Sequence, residues 1–370
     1  MIYFDNAATT LMKPPSVEKA VTSALKSLGS PGRGAHPAAI RAAEEAYACR
    51  RQAAATFGVR DPASIVFCMN ATHALNIAVK SLAEAGDRVV ITGYEHNAVL
   101  RPLTAVGAEI AVASAPLFRP EESILAFREQ LKRGAKAAVV NHVSNVFGYI
   151  QPLEEMAALC REMGVPLIVD ASQSAGVIPL NMEALGAAFI AMPGHKSLYG
   201  PQGTGILLCG APVRTLMEGG SGSDSKDRRM PEFLPDRLEA GTHNMPGIAG
   251  LRQGLRFVNR LGMGSILEKE RDLMKRAADC LGRLPGIRIY RADDERLQTG
   301  VLSFAVADRD PEETAEVLAE GGYCVRAGLH CAPLAHETAG STGTVRLSFS
   351  VFNGPAQVES FCRFMKENFR

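Results

Sequence analysis

Residues 189–208 read FIAMPGHKSLYGPQGTGILL. The apolar run Phe189 to Met192 breaks at Pro193-Gly194, presents His195 and Lys196, and passes through a glycine-rich turn into a second apolar run. A lysine is thereby held on a short connection between two strand candidates. Burying an ammonium is costly unless it is paired or loses its proton. A lysine at the end of a core strand is therefore a candidate Schiff-base former, because a partly desolvated amine attacks aldehydes. Taken alone, the segment also fits a surface turn with an incidental lysine. The Gly200, Gly203, Gly205 spacing does not decide between them, since tight turns commonly carry glycine.

Outward from this stretch the pattern alternates. SIVFC (64–68), RVVIT (88–92), EIAVA (109–113), KAAVV (136–140), PLIVD (166–170), AFIAM (188–192) and GILLC (205–209) read as strands, with helices between most of them at 71–85, 120–132 and 152–163. Short continuous apolar strands separated by helices predict a largely parallel sheet buried on both faces. Upstream, Pro14-Pro15 and Gly29 bracket a helix, and an alanine-rich run from Pro37 to Phe57 ends at Gly58 as a second one. The loop between them holds Arg33 and His36, either solvated or aimed at a ligand. Residues 217–231 read as a mobile polar loop. Beyond it, helices at 247–261, 264–283, 311–320 and from Pro355, with strands IRIY, VLSFAV, YCVRA and TVRLSFS, form a smaller α/β unit.

With 370 residues the chain is long enough for two cores. Its 46% hydrophobic and 21% charged residues are ordinary for a soluble enzyme, and a net charge of +1 gives no reason to expect nucleic acid or an anionic membrane as partner. No apolar run approaches bilayer length, and MIYFDNAATT lacks the basic and apolar regions of a secretory signal, so the expectation is a cytoplasmic protein. The eight cysteines contain no CxxC pair, which argues against a zinc ribbon or a disulfide scaffold and leaves no metal site expected. Cys49, Cys68, Cys160, Cys209 and Cys280 read as small core residues. Cys331, in the loop-like RAGLHCAPLAH, is a candidate reactive thiol.

Ligands in such sheets gather at the carboxyl ends of the strands, where this chain places polar groups. Asn70-Ala71-Thr72-His73 opens a helix, a place for a phosphate or simply a cap. Tyr94-Glu95-His96-Asn97 and His142-Val143-Ser144-Asn145 follow two further strands, Asp170 comes with Ser172 and Gln173, and Thr242 offers a hydroxyl in LEAGTHN. Asp170 fits a local cap or a counter-charge for the pyridine nitrogen of a pyridoxal cofactor. His96 supplies a flat ring for stacking.

The set YFDNAATT, NATHALN, EHNA, VSNVFG, VDASQSAG, GHKSLYGPQGTG, EAGTHN, RAGLHC and RLSFSVFN resembles the class V aminotransferase family of pyridoxal 5'-phosphate enzymes, in its cysteine desulfurase and selenocysteine lyase branch. The resemblance runs from Asp5 to Asn353. It implies an α/β, three-layer fold type I transferase, with a large cofactor-binding domain at 14–245 and a smaller α/β domain of 1–13 and 246–370 that carries the catalytic cysteine loop. It further implies that Lys196 bonds the cofactor aldehyde, Asp170 pairs with the pyridine nitrogen, Gln173 bonds the ring phenolate and His96 stacks. Ala71, Thr72 and His195 would hold the phosphate, with Thr242 from the other subunit of a homodimer. Asn145 and Arg346 would grip the substrate carboxylate, with Arg326 nearby.

Cys331 matches the sulfur-accepting cysteine, fifteen residues before Arg346, as in the short-loop members. One position departs, since Pro193 stands where the family commonly has a hydroxyl residue, so one phosphate contact is missing. The expected activity converts L-cysteine to L-alanine with sulfur passed to Cys331 as a persulfide and then to an acceptor protein, with His330 or His195 either proton carriers or incidental. The alternatives are a selenocysteine lyase, or an aminotransferase or epimerase in which Cys331 is structural.

Overall fold

A computed structural model describes residues 1–32, 34–223 and 225–369. Arg33 lies outside the described residues. His36 is exposed and caps the helix Pro37–Phe57, its Nδ1 accepting from Ala39 N at 3.3 Å.

Seven strands make the central sheet in the order Ile65–Cys68, Gly205–Cys209, Phe189–Pro193, Leu167–Asp170, Ala137–Asn141, Arg88–Thr92, Glu109–Ala113. All neighbours are parallel except Gly205–Cys209, which runs antiparallel to both of its own. Successive side chains point to opposite faces, so the apolar runs feed two cores. Val140, Val169, Ile190 and Met192 join a cluster with residues of the helices Pro37–Phe57, Leu153–Glu162 and Met245–Leu261. Val139, Ile168, Phe189 and Ala191 join another with the helices Ala71–Leu82 and Asn97–Ala105. The result is the expected three layers with a mostly parallel sheet. Ile248, Leu251 and Leu255 of the helix Met245–Leu261 pack into the first core.

The smaller unit has a four-stranded sheet in the order Arg326–Gly328, Thr344–Ser348, Val301–Val306, Ile287–Tyr290, antiparallel throughout. Its core is filled from the helices Met263–Leu281 and Pro355–Asn368. The run YCVRA, expected as one strand, divides: Tyr323–Cys324 pairs with Ile2–Tyr3 of the N-terminal arm, and Arg326–Gly328 with Thr344–Ser348. Cys49, Cys68, Cys160 and Cys209 are buried as expected, but Cys280 is half-buried, because it lies at the last turn of its helix.

A buried ion pair fixes the edge of the large sheet. Both Arg50 terminal nitrogens bond Glu239, at 2.7 and 2.6 Å, and Glu239 Oε1 also accepts from Phe67 N at 2.7 Å. The pair ties the strand before the Ala71 helix to the segment carrying Thr242. Removing one member of a buried pair strands the other charge. Arg50→Ala is therefore expected to destabilise the fold by about 3–5 kcal/mol, read from denaturant unfolding.

Candidate active site

The lysine turn is gripped from both sides by backbone. A Cβ on Gly176 would lie 2.2 Å from Ser197 O, and one on Gly254 2.1 Å from Leu198 O, so only glycine permits these approaches. The N-terminal arm adds a third clamp. His195 O accepts from Thr10 N at 3.2 Å and from Lys13 Nζ at 2.8 Å, and Thr9 Oγ1 meets His195 Nδ1 at 3.0 Å.

The turn forms one wall of a cavity at the carboxyl ends of the parallel strands. Its lining brings together Ala71, Thr72, His96, Asn145, Asp170, Gln173, His195 and Lys196, eight of the residues singled out in the sequence, along with Pro193. Asn70 caps the helix Ala71–Leu82, its Oδ1 accepting from His73 N at 2.9 Å. The amides of Ala71 and Thr72 belong to the first turn, which lacks intrahelical acceptors, and they border the cavity. The cap and the anion site are thus compatible. Asp170 is similar, since its Oδ1 accepts from Ser172 N at 2.9 Å while the carboxylate borders the cavity. Gln173 is braced by Ala7 O, to which its Nε2 donates at 3.0 Å.

Burial pushes the Lys196 amine down to about 8; Asp170 opposes this, and Arg346 and Arg326 add to it. A usable fraction is therefore neutral near pH 7. The reaction of Lys196 with added pyridoxal phosphate, followed by absorbance, is expected to quicken about tenfold per pH unit up to about 8 and then level off. His96 caps the next helix, its Nδ1 accepting from Ala98 N at 2.9 Å, which leaves the neutral ring's proton on Nε2. Burial holds this ring down to about 4, so at neutral pH it presents an uncharged face. Burial also keeps His195 at about 4 and pushes His330 well down, so neither is an imidazolium at neutral pH. A neutral imidazole keeps one donor and one acceptor nitrogen.

Glu95 was named at its strand end in the sequence but given no role. It is fully buried beneath the site, its Oε1 accepting from Thr92 Oγ1 and Asn141 N, each at 2.8 Å. Burial pushes it up to about 8, against those bonds, so it is held neutral.

Arg346, Arg326 and Cys331 lie outside the cavity lining but are linked to it. Arg346 is buried, its Nη1 donating to Asn145 O at 2.9 Å and its Nη2 to Asp5 Oδ1 at 2.7 Å, while its Nε has no partner. Asp5 went unassigned in the sequence, although YFDNAATT contains it. Asn145 Nδ2 donates to His330 O at 2.9 Å, and Asn97 N to Cys331 O at 2.8 Å. The cysteine loop is thus held from two sides. His330 and Cys331 are consecutive left-handed residues, φ 52° and 57°, a conformation costly for side chains with a Cβ. Cys331 is exposed, with Arg326 Nη2 3.8 Å from its sulfur. It opens on a groove with Thr72, Asn76, His96, Ala98 and Arg101, so Thr72, His96 and Ala98 form the partition between groove and cavity. Thr242 is exposed and lies apart, in a depression with His73, Thr204 and Glu239.

The chain belongs to the aminotransferase class-V family, whose family model matches residues 2–361. Within it, the chain is 32% identical to a probable cysteine desulfurase of Pyrococcus abyssi, over 99% of this chain and 94% of that one. A probable cysteine desulfurase of Methanothermobacter thermautotrophicus is 31% identical with the same coverage. Among solved structures, a cysteine desulfurase from Thermococcus onnurineus superposes with a TM-score of 0.91 at 32% identity, covering 100% of this chain and 94% of that one. The cysteine desulfurase CsdA of Escherichia coli gives 0.85 at 26% identity, covering 99% and 94%.

The family's cofactor fits the residues present. A half-buried amine meets an aldehyde, a carboxylate meets a pyridinium, and two first-turn amides meet a phosphate. The unpartnered Nε of Arg346 is a donor left over for a carboxylate.

Proposed function

We propose that this chain is a cysteine desulfurase that uses pyridoxal phosphate, releases L-alanine and keeps the sulfur on Cys331 as a persulfide. The observation that carries this reading is the placement of His96 and Thr72 between a cavity containing Lys196 and a groove containing the exposed Cys331 thiol. An amine chemistry and a thiol chemistry are thereby set on two sides of one partition.

Lys196 would hold the cofactor's aldehyde carbon, Asp170 its pyridine nitrogen, Gln173 its phenolic oxygen and His96 one face of its ring. Ala71, Thr72 and His195 would hold the phosphate, completed by Thr242 of a second subunit, which accounts for the distance of Thr242 from its own cavity. Pro193 brings no hydroxyl to this set. Bound there, pyridoxal phosphate supplies an electron sink for the carbon that bears the substrate amine.

The chain's own residues do the rest. Arg346 Nε and Asn145 fix the substrate carboxylate, which orients Cα toward Lys196. Lys196, neutral in part, takes the Cα proton. Cys331 attacks the substrate sulfur, with the Arg326 guanidinium beside the anionic form. The balance is L-cysteine plus Cys331 thiol to L-alanine plus Cys331 persulfide, with no external oxidant. Exposure of Cys331 leaves the persulfide open to an acceptor protein. All eight cysteines are free thiols, which suits a reducing cytoplasm.

Incubating the purified, cofactor-loaded protein with L-cysteine is expected to add one sulfur to the Cys331 peptide by mass and to release alanine. Absence of both would overturn the reading.

A further inference from the structure

Arg346 is buried, and its one carboxylate partner among the described residues is Asp5, which reaches it from the other end of the chain. Opposite Arg346 on the neighbouring strand stands Arg326, a like charge that works against it. The guanidinium is held at two points, Nη1 on Asn145 O at 2.9 Å and Nη2 on Asp5 Oδ1 at 2.7 Å, while Nε–H is buried with no partner. A buried donor without an acceptor is costly, so a guanidinium kept in that state points to a ligand.

Asp5 is itself firmly placed. Ser348 lies two residues beyond Arg346 and therefore on the same face of the strand Thr344–Ser348. Ser348 N donates to Phe4 O at 2.7 Å, Asn6 Nδ2 donates to Ser348 O at 2.8 Å, and Ala7 N donates to Ser348 Oγ at 2.8 Å. Residues on both sides of Asp5 are thus pinned to one point, and Tyr3 Oη donates to Asp5 O at 3.1 Å. A single strand carries the arginine and anchors the carboxylate that aims it.

We propose that Asp5 is a positioning residue for amino-acid recognition: by accepting from Nη2 it fixes the Arg346 fork so that the free Nε–H meets the carboxylate of an α-amino acid. This rests on the reading that Arg346 grips the substrate carboxylate. The acceptor oxygen of Asp5 sets carboxylate recognition, and its charge supports the fold by offsetting a buried guanidinium. Substitution separates the two duties. Asn keeps an oxygen at that place and loses the charge, Ala loses both, and Glu keeps the charge but displaces the oxygen.

The test uses the full, cofactor-loaded chain and two probes, L-alanine and L-alaninamide, which differ only in the carboxylate. Their dissociation constants are read from the change in cofactor absorbance, and the ratio of the two reports carboxylate recognition. The wild type is expected to prefer L-alanine. Asp5→Ala should reduce that preference by about tenfold or more, the worth of one hydrogen bond to a charged group, with L-alaninamide binding little changed. Asp5→Asn should keep it within about threefold of wild type, although denaturant midpoints should fall in both variants. Asp5→Glu should lose the preference with a midpoint nearer wild type, which keeps the comparison open if Asp5→Ala fails to fold. Arg346→Ala should remove the preference altogether. If Arg346→Ala removes it while Asp5→Ala and Asp5→Glu retain it, or if Asp5→Asn loses as much as Asp5→Ala, the positioning role is overturned and the carboxylate reading stands. A preference that survives Arg346→Ala overturns both.

Discussion

Lys196→Ala is expected to lower alanine formation from L-cysteine by at least about 10,000-fold, because one substitution removes both the proposed covalent anchor and the proposed proton acceptor. Lys196 supplies the sole amine among the residues that line the cavity. The nearest other lysine of the arm, Lys13, is occupied with His195 O and Thr10 Oγ1, which places it behind the turn. Borohydride treatment of the wild type should leave a pyridoxyl group on the Lys196 peptide, and the variant should carry none there. An unchanged circular dichroism spectrum would assign the loss to chemistry and not to folding. Activity within a hundredfold of wild type would remove the amine from the mechanism.

Cys331→Ala is expected to cut L-cysteine turnover by about 100-fold or more while leaving cofactor binding intact, since the thiol lies across His96 from the cavity and contributes nothing to its lining. No peptide should then gain sulfur. Cofactor absorbance and the borohydride label on Lys196 should be those of the wild type. Selenocysteine gives the comparison. Retention of its turnover in a variant inactive on L-cysteine would point to the lyase reading, and equal loss on both to one shared role for the thiol. Undiminished L-cysteine turnover would make Cys331 structural.

The large sheet was legible because strands buried on both faces are short and apolar throughout, and the strand-end polar residues then had one place to go. Eight of them do line one cavity. The direction of Gly205–Cys209 was not legible, since hydrophobic runs look the same read from either end. Nor was the division at Val325, where a single apolar stretch serves two sheets. The contacts of Asp5 with Arg346 and of Asn97 with Cys331 span hundreds of residues and leave no period to detect. The burial of Glu95 was not legible either, since nothing local to it shows the sheet closing over it.

Residues 2–13 reach several parts of this machinery: Ile2–Tyr3 runs beside Tyr323–Cys324, Asp5 grips Arg346, and Thr9, Thr10 and Lys13 hold the carbonyl that precedes Lys196. A protease nick in that arm would therefore cost catalysis and loosen the small core together, since Phe4 of the arm is buried within that core. Heat denaturation and turnover would both register the damage.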